Sequence, residues 1–323
     1  MINRDRSIFI LLTLVTMSWG LNFSVVKILT SVLSELWIVM LRMMLATVTL
    51  ALCMVWQRVD FSRFETRRWF AMLACGFFTV YLNQQFFIKG LHLTTAGNAT
   101  LMIALNPALA AVAAAIAFRD KVSWSAMVGL LIGFGGVAFV IAGRSGAEIS
   151  TVGMGEFFIF VAMSAFICGG LIMQRLAQSE DAFQITLIVQ VMGSALLALH
   201  VAVFEGWSNF PLAQIDFKIG MLLLYSGAIG TALSNLAWFY SVAKVGQRRA
   251  AVFFYCVPVF GLLFSVLLLG EVIRWQHGVG LALVIAGTRL GVMVKRSVKA
   301  VKPGTNPGGD EASIITSGSC PPR

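Results

Sequence analysis

Residues 99–124 read ATLMIALNPALAAVAAAIAFRDKVSW, and residues 250–275 read AAVFFYCVPVFGLLFSVLLLGEVIRW. The second stretch follows the first at a constant distance of 151 residues without a gap. Aligned at this distance are proline, tryptophan, acidic and glycine positions, namely Pro107 with Pro258, Trp124 with Trp275, Asp120 with Glu271, Gly129 with Gly280 and Gly136 with Gly287. Hydrophobic composition alone does not produce such matches, so the sequence contains an internal repeat.

Each half of the chain carries five apolar runs that are bounded by charged residues, glycine or proline. A helix needs about 20 residues to cross a hydrocarbon core, and these runs have that length. An odd number of crossings per repeat places the two repeats in opposite orientations. The sequence therefore predicts an all-α membrane protein with ten transmembrane helices, arranged as two inverted-topology five-helix repeats. The runs cover residues 8–29, 35–56, 69–88, 97–118, 124–142, 156–176, 183–204, 219–242, 249–269 and 275–294.

The repeat also sets the domain organisation. We expect a first repeat over residues 1–146 and a second over residues 147–297, with five spans in each. Residues 298–323 are rich in glycine, proline and serine and carry mixed charge, which predicts a disordered cytoplasmic tail.

Lysine and arginine are distributed unevenly between the two ends of the runs. Most of them flank the runs on the side of the N-terminus, and the opposite side carries only Lys27, Lys89, Arg144, Lys218 and Arg274. Because positive residues accumulate in cytoplasmic loops, both termini are predicted to face the cytoplasm.

The composition excludes a water-soluble protein and gives no indication of a cofactor. Hydrophobic residues make up 59% of the chain, charged residues 12%, and the mean hydropathy is +0.87. The net charge of +10 lies mainly in short segments between apolar runs, so we interpret it as orienting the protein in the bilayer, not as a nucleic-acid surface. The cysteines lack metal-ligand spacing, and we expect no metal site and no cofactor.

Polar side chains recur at one depth in the third and eighth runs. They are spaced so that each set shares a helical face: Tyr81, Gln84 and Gln85 in the third run, and Thr231, Asn235 and Trp238 in the eighth. The repeat distance aligns Gln84 with Asn235. Two interpretations stay open at this point, hydrogen bonds that join helices and a wall that faces a substrate.

Pro107 and Pro258 lie at equivalent positions in the middle of the fourth and ninth runs. Each removes a helical donor, so both helices are predicted to kink around a central space. Asn106 precedes the first proline, and Tyr255, one turn before the second, could stack on an aromatic or cationic substrate. A pathway role and purely structural bending are both compatible with this pattern.

Four further candidates lie in the first two runs. Trp19 and Asn22 stand in the second half of the first run, followed by Lys27 near its end, which could line the pathway or extend to the headgroups. Arg42 lies a third of the way into the second run. It could attract an anionic substrate, or it could have a structural role through bonds to backbone carbonyls.

Catalytic chemistry is not indicated. The acids Glu35, Asp120, Glu156 and Glu271 all fall at helix ends, and no histidine stands in a known arrangement with a nucleophile. We therefore expect no enzyme activity. His200 lies within a run and titrates near neutral pH, but a lone histidine there is more typical of an interfacial side chain, so the coupling ion stays open.

The motifs around these residues resemble those of the drug/metabolite transporter superfamily, specifically its EamA-type members with two repeated units. The resemblance covers residues 8–294. It rests on Trp19-Gly20-Leu21-Asn22-Phe23 with Lys27, Leu41-Arg42, Ala99 through Asn106-Pro107, Val245-Gly246, Arg249-Ala250, Val257-Pro258-Val259-Phe260 and Leu269-Gly270-Glu271. The first unit has Arg119-Asp120 where the family more often shows Gly-Glu. The resemblance implies a basket of ten helices with a central cavity, a bacterial inner-membrane location, and small-molecule transport.

The leading hypothesis is a secondary transporter that exports small metabolites such as hydrophobic or aromatic amino acids by alternating access. The alternatives are efflux of cationic drugs or nucleoside-like metabolites, and a passive facilitator without ion coupling. The expected partners are a small-molecule substrate and the lipid bilayer, without nucleic acid. The oligomeric state stays open, a monomer included.

Overall fold

A computed structural model describes residues 2–57, 65–117, 124–142, 153–177, 181–245, 250 and 252–292. Throughout this part of the chain the regular structure is helical, without strands. The predicted tail at 298–323 and the short connection at 119–123 lie outside these residues. The helices in chain order are α1 (Ile2–Leu29), α2 (Glu35–Gln57), α3 (Thr66–Gly76), α4 (Asn83–Leu93), α5 (Ala96–Ile103), α6 (Asn106–Ala117), α7 (Trp124–Ala142), α8 (Met154–Leu176), α9 (Ala182–Phe204), α10 (Phe217–Leu224), α11 (Ser234–Val245), α12 (Cys256–Leu269) and α13 (Trp275–Val292).

Several of these helices join end to end into longer spans. A first π segment (Phe77–Leu82) links α3 to α4, and a second π segment (Tyr225–Leu233) links α10 to α11. The 3₁₀ helix Val252–Tyr255 leads directly into α12. Two short 3₁₀ helices, Trp207–Asn209 and Leu212–Gln214, lie in the connection between α9 and α10.

The helices have the length and composition of membrane spans. Within the described residues, seven helical stretches are long and apolar enough to cross a bilayer, and Met127–Val140 and Phe253–Leu269 are shorter apolar helices. The prediction of an all-α membrane protein is therefore confirmed. The exact number of ten crossings stays a prediction.

Local sequence explains where many helices begin and end. Asp181 caps α9 by accepting hydrogen bonds from the backbone N–H groups of Phe183 and Gln184, at 3.0 and 2.9 Å. Asp216 caps α10 in the same way. Gly270 ends α12 with a φ of 65°, a left-handed conformation that glycine adopts without strain. The glycine of the Leu269-Gly270-Glu271 motif thus makes the tight turn into the last helix.

The two repeats run in opposite directions, as the packing of α7 on α13 shows. A Cβ atom added at Gly136 would lie 2.9 Å from the carbonyl oxygen of Gly280, and one added at Gly280 would lie 3.0 Å from that of Gly136. Gly287 approaches Gly129 just as closely. Numbering that rises along α7 falls along α13, so the helices are antiparallel. Because Gly129 aligns with Gly280 and Gly136 with Gly287, two copies of one surface meet here.

A second contact between equivalent residues joins α2 to α9. The Ser194 hydroxyl donates a hydrogen bond to the carbonyl oxygen of Met43 at 3.2 Å, and these residues are 151 positions apart. Towards one end of this pair Trp37 shares a buried cluster with Val201, and towards the other Leu50 shares one with Leu187. These helices are therefore also antiparallel, which confirms the inverted-topology arrangement.

Both repeats carry a π segment at the same place. The first π segment ends at Leu82 and the second at Leu233, which align at the repeat distance. In the second, the hydroxyls of Thr231 and Ser234 donate to carbonyl oxygens five residues earlier, each at 2.7 Å. Such π insertions are rare in proteins as a whole, and those that occur are often found at functional sites.

Helical hydrogen bonding is also interrupted before Pro107 and before Pro258, the two prolines that align at the repeat distance. Ala104 and Leu105 form a turn between α5 and α6, just before Pro107. A 3₁₀ helix that ends at Tyr255 occupies the equivalent place before Pro258. The Thr288 hydroxyl donates to the Ala104 carbonyl oxygen at 3.2 Å, which gives this buried carbonyl a partner.

Candidate functional site

A polar network surrounds Arg42 in the interior of the bundle. The side chain of Arg42 is 1% exposed. Its Nε donates to the Ser226 hydroxyl at 2.5 Å, and its two terminal nitrogens donate to Gln84 Oε1 at 3.3 Å and to the Thr231 hydroxyl at 3.4 Å. All three acceptors are side-chain oxygens and not the backbone carbonyls named in the structural alternative, and the role of Arg42 stays a prediction. Buried polar atoms from both repeats thus converge on one guanidinium.

The network continues from Ser226 and Gln84 to neighbouring helices. The Ser226 hydroxyl donates to Asn22 Oδ1 on α1 at 2.5 Å. On the other side, Gln84 Nε2 donates to Asn83 Oδ1 at 2.9 Å, and Asn83 Nδ2 donates to the carbonyl oxygen of Ala162 on α8 at 2.8 Å. A chain of hydrogen bonds therefore crosses the bundle from α1 through α2 and the second π segment to α4 and α8.

Two glycines of the second π segment allow this close approach. A Cβ atom at Gly227 would lie 2.7 Å from the Arg42 carbonyl oxygen, and one at Gly230 would lie 2.8 Å from Asn22 Oδ1. Any larger residue would push α2 or the Asn22 side chain away. The glycines hold α1, α2 and the second π segment near enough for the network to form.

An aromatic cluster lies next to the network, towards the N-terminus of α1. Trp19 packs against Trp238 with ring centroids 5.2 Å apart and against Phe254 at 5.5 Å, while Trp238 and Phe254 meet edge-on at 4.7 Å. Trp19 precedes Asn22 by one helical turn. The predicted residues Trp19 and Trp238 are thus brought together, and Phe254 joins them.

The polar side chains of the third run divide between two neighbours. Gln84 contacts Arg42, whereas the Tyr81 hydroxyl lies 2.6 Å from His200 Nδ1 and Gln85 Nε2 lies 3.4 Å from the same atom. His200 also packs against Phe204. Tyr81 belongs to the first π segment and the glutamines to α4, so the expected single face is split. His200 is therefore bonded to α4 and the first π segment, and its interfacial position stays a prediction.

Lys27 has a structural position at the end of α4. Its ammonium donates to the carbonyl oxygens of Leu91, His92 and Thr94 at 2.8, 2.8 and 2.7 Å. These carbonyls end a helix and have no helical partner, so a cation there satisfies them. The ammonium thereby joins α1 to the end of α4, and a role of Lys27 in the pathway or its gating stays a prediction.

Two acids that the sequence did not single out as site residues complete this end of the bundle. Glu156 is 4% exposed and accepts hydrogen bonds from the Thr94 hydroxyl at 2.5 Å and from Asn98 Nδ2 at 3.2 Å. Glu271 accepts from the backbone N–H groups of Ala96 and Gly97 at 2.8 and 3.0 Å, and thereby caps α5 from the other repeat. We call Lys27, Thr94, Glu156 and Glu271 the polar latch.

The remaining predicted residues lie along the interrupted helices and α11. Asn106 begins α6, and its Oδ1 is buried without a hydrogen-bond partner. Asn235 is half-buried one turn after Thr231, and Tyr255 is half-buried at the end of its 3₁₀ helix. Pro258 is buried in the first turn of α12. These residues follow the helix interruptions and do not contact Arg42 directly.

Ser226 is the main residue of the network that the sequence reasoning missed. It stands in an apolar run immediately before Gly227, and it aligns with Cys75 of the first repeat, which also precedes a glycine. A hydroxyl next to a glycine within a membrane span was the available indication. Among the described residues, no group of histidine, cysteine and acidic side chains could hold a metal ion.

Comparisons with known proteins agree on one family. The sequence profile of the EamA-like transporter family matches residues 6–142 and again residues 153–293. A protein of Archaeoglobus fulgidus called "Uncharacterized transporter" is 26% identical over 279 residues, which are 86% of this chain and 96% of that protein. A crystal structure with a TM-score of 0.61 covers 90% of this chain and 99% of its own at 18% identity, which shows the fold alone.

Two relatives have names that state a substrate. The "S-adenosylmethionine/S-adenosylhomocysteine transporter" of Chlamydia muridarum is 24% identical over 78% of this chain and 81% of its own length. The "Probable terminal-alkyne amino-acid exporter" of Streptantibioticus cattleyicolor is 25% identical over 60% of this chain and 63% of its own length. The two family matches together cover most of the sequence, and the chain belongs to the EamA-like transporter family of the drug/metabolite transporter superfamily.

Proposed function

We propose that this protein is a secondary transporter of the bacterial inner membrane that exports hydrophobic or aromatic amino acids and similar small metabolites. The observation that carries the proposal is the Arg42 network beside the Trp19 cluster. Polar groups that fix orientation, next to apolar surface, are the usual composition of a small-molecule site. Polar side chains at bilayer depth are costly unless they pair or line a pathway.

In this proposal the substrate contacts come mainly from α1, α2, α4, the second π segment and α11. Asn22, Gln84 and Thr231 supply hydrogen bonds around Arg42, and Trp19 and Trp238 supply apolar surface. The other predicted residues line the route to this place. They are Tyr81, Gln85, Asn106, Asn235 and Tyr255, with Pro107 and Pro258 as the points about which helix segments move.

Alternating access requires a closure at each end of the pathway, and the bundle offers two candidates. The aromatic cluster of Trp19, Trp238 and Phe254 packs at the end near the N-terminus of α1, which we assign to the cytoplasm together with both termini. The polar latch joins both repeats at the opposite end. Opening one closure while the other holds would expose the Arg42 network to one side at a time.

Counterflow in proteoliposomes tests the function. Vesicles that contain the protein and an excess of unlabelled phenylalanine or leucine should take up labelled phenylalanine transiently, with saturation. Asn235→Ala should reduce this uptake, whereas the matched change at the exposed Asn209 should not. Absence of saturable exchange with every hydrophobic or aromatic amino acid contradicts the proposed substrates.

The alternatives predict other results in the same vesicles. Efflux of cationic drugs predicts exchange of a lipophilic cation, and a nucleoside-like substrate predicts exchange of S-adenosylmethionine, the compound in the name of the Chlamydia relative. A passive facilitator predicts exchange without accumulation under any ion gradient. The positive charge of Arg42, with no acid bonded to it in the described part of the chain, favours the amino-acid proposal over cations.

A further inference from the structure

The guanidinium of Arg42 keeps hydrogen-bonding capacity that its neighbours do not use. It has five N–H donors, and three of them serve Ser226, Gln84 and Thr231. Two of these bonds are long, at 3.3 and 3.4 Å. At least two N–H groups therefore have no acceptor in the described part of the protein.

The charge of Arg42 is likewise unmatched. Its hydrogen-bond partners are two hydroxyls and an amide, all neutral, and no carboxylate of the described ranges forms an ion pair with it. Glu156, a buried acid, is occupied by Thr94 and Asn98. A buried cation without a counter-ion is unfavourable and strongly attracts an anion. The site is thus prepared for a negative group that none of the described residues provides.

Asn22 adds a neutral donor at the same place. Asn22 Oδ1 and Arg42 Nε both bond to the Ser226 hydroxyl, each at 2.5 Å, so the two side chains are close neighbours. The amide nitrogen of Asn22 donates to no residue within the described ranges. A planar guanidinium matches the two oxygens of a carboxylate, and an amide N–H beside it can bond to one of them.

We propose that Arg42, assisted by Asn22, binds the carboxylate of the transported compound, and that the apolar part of that compound packs on Trp19 and Phe254. This inference rests on the proposed function and narrows its substrates to carboxylates that bear an apolar group. Amines, esters and lipophilic cations lack the anion and are poor substrates. The residue equivalent to Arg42 in the second repeat is Gly193, so the repeat does not supply a second arginine of this kind.

A series of phenylalanine analogues tests the proposal on the purified full-length protein. Phenylalanine and 3-phenylpropionate keep the carboxylate, whereas phenylalanine methyl ester and phenethylamine lose it. We expect the two acids to raise the melting temperature and to compete for counterflow, and the ester and the amine to compete at least tenfold less well. Arg42→Gln should abolish the preference for acids, and Thr49→Ala, two turns further along α2 with a hydroxyl that bonds to the Leu45 carbonyl oxygen of its own helix, should keep it.

Asn22→Asp gives a second, independent test that does not require loss of Arg42. It places a carboxylate of nearly unchanged shape beside the guanidinium, which supplies the missing counter-ion from within the chain. We expect this variant to melt at a higher temperature than the wild type and to lose the response to phenylalanine by at least tenfold.

The outcomes separate this inference from the function on which it rests. Equal competition by acids, ester and amine, with counterflow intact, overturns the carboxylate assignment while transport stands. Unchanged acid preference in Arg42→Gln, or unchanged phenylalanine binding in Asn22→Asp, overturns it as well. No counterflow and no thermal shift with any compound of the series contradicts both the assignment and the proposed function.

Discussion

The two π segments occupy equivalent positions in the repeats, yet their surroundings differ in chemistry. In the first repeat a Cβ atom at Gly76 would lie 2.8 Å from the carbonyl oxygen of Val189 on α9, and in the second one at Gly227 would lie 2.7 Å from that of Arg42 on α2. These glycines align, and so do Gly193 and Arg42. Gly193 packs against Val80, whereas Arg42 bonds to Thr231, the residue aligned with Val80.

The two repeats therefore share the backbone packing at their π segments and differ in the side chains that surround them. Close contact at a glycine holds the π segment against its neighbour in both repeats, because the helices cannot approach otherwise. Only the second repeat places hydroxyls there, at Ser226 and Thr231, where the first has Cys75 and Val80. We therefore interpret the fold as symmetric and the site as asymmetric.

Introducing a cation beside the first π segment, at the second-repeat position equivalent to Arg42, should have the largest effect. In Gly193→Arg the new Cβ would meet Val80 Cγ1 at 2.7 Å and the Gly76 carbonyl oxygen at 2.9 Å, and the charge would be buried among apolar groups. Overpacking and an unpaired charge together should destabilise the fold by more than ~3 kcal/mol. Size-exclusion chromatography in detergent should show aggregated protein. A monodisperse variant with the melting temperature of the wild type would contradict the difference between the copies.

Adding a methyl group at the two aligned glycines, Gly76 and Gly227, should have the next largest effect. The loss of stability should be similar in both repeats. Gly76→Ala and Gly227→Ala each force a helix pair apart, which should cost about 1–3 kcal/mol. Thermal unfolding measures the loss. The control is Gly170→Ala on α8, where an added Cβ meets nothing within 4 Å and should not destabilise the helix. A large loss at one glycine alone would show that the packing is not equivalent.

The symmetric packing was largely predictable from sequence, whereas the π segments were not. The constant repeat distance predicted that Gly129 and Gly280 are equivalent, because glycine and proline positions survive where backbones must approach or bend. A π segment changes the hydrogen bonding of the backbone without changing hydropathy, so the continuous apolar runs gave no sign of it. This local change separates Gln84 from Tyr81 and Gln85, which the helical spacing had placed on one face.

Long side chains were harder to assign than small ones. The position of Lys27 near a membrane surface was evident, but its role depends on where α4 ends, and the sequence gives that only within a few residues. For Arg42 the need for partners followed from its depth, and an anionic substrate was one of two alternatives. The identity of its partners required the three-dimensional approach of the second π segment, since Ser226 is 184 residues away.

Replacing one residue of the second repeat by its counterpart from the first repeat should have a moderate effect on substrate binding. Thr231→Val removes the long bond to Arg42 and the bond to the Ser226 carbonyl, each worth about 1 kcal/mol. Phenylalanine should therefore bind several-fold more weakly, measured by titration in the thermal-shift assay. The fold should persist, because valine occupies this position in the first repeat. Unchanged binding would place the site elsewhere.

Replacing a residue of the first repeat by its counterpart from the second repeat should have the smallest effect. Cys75→Ser introduces the hydroxyl found at Ser226, and it can keep the bond that Cys75 Sγ now donates to the Gly169 carbonyl oxygen at 3.3 Å. We expect a stability change within about 1 kcal/mol and unaltered counterflow. A strong loss of transport in this variant would indicate that the first copy also participates in the site.

The most direct test of an asymmetric site is a crystal structure with bound 4-bromophenylalanine, located by the anomalous signal of bromine. An asymmetric site should give one peak per chain beside Trp19 and Phe254, with the carboxylate at hydrogen-bond distance, about 3 Å, from the Arg42 guanidinium. A peak near Gly193 and His200, or two equivalent peaks related by the repeat, would contradict it.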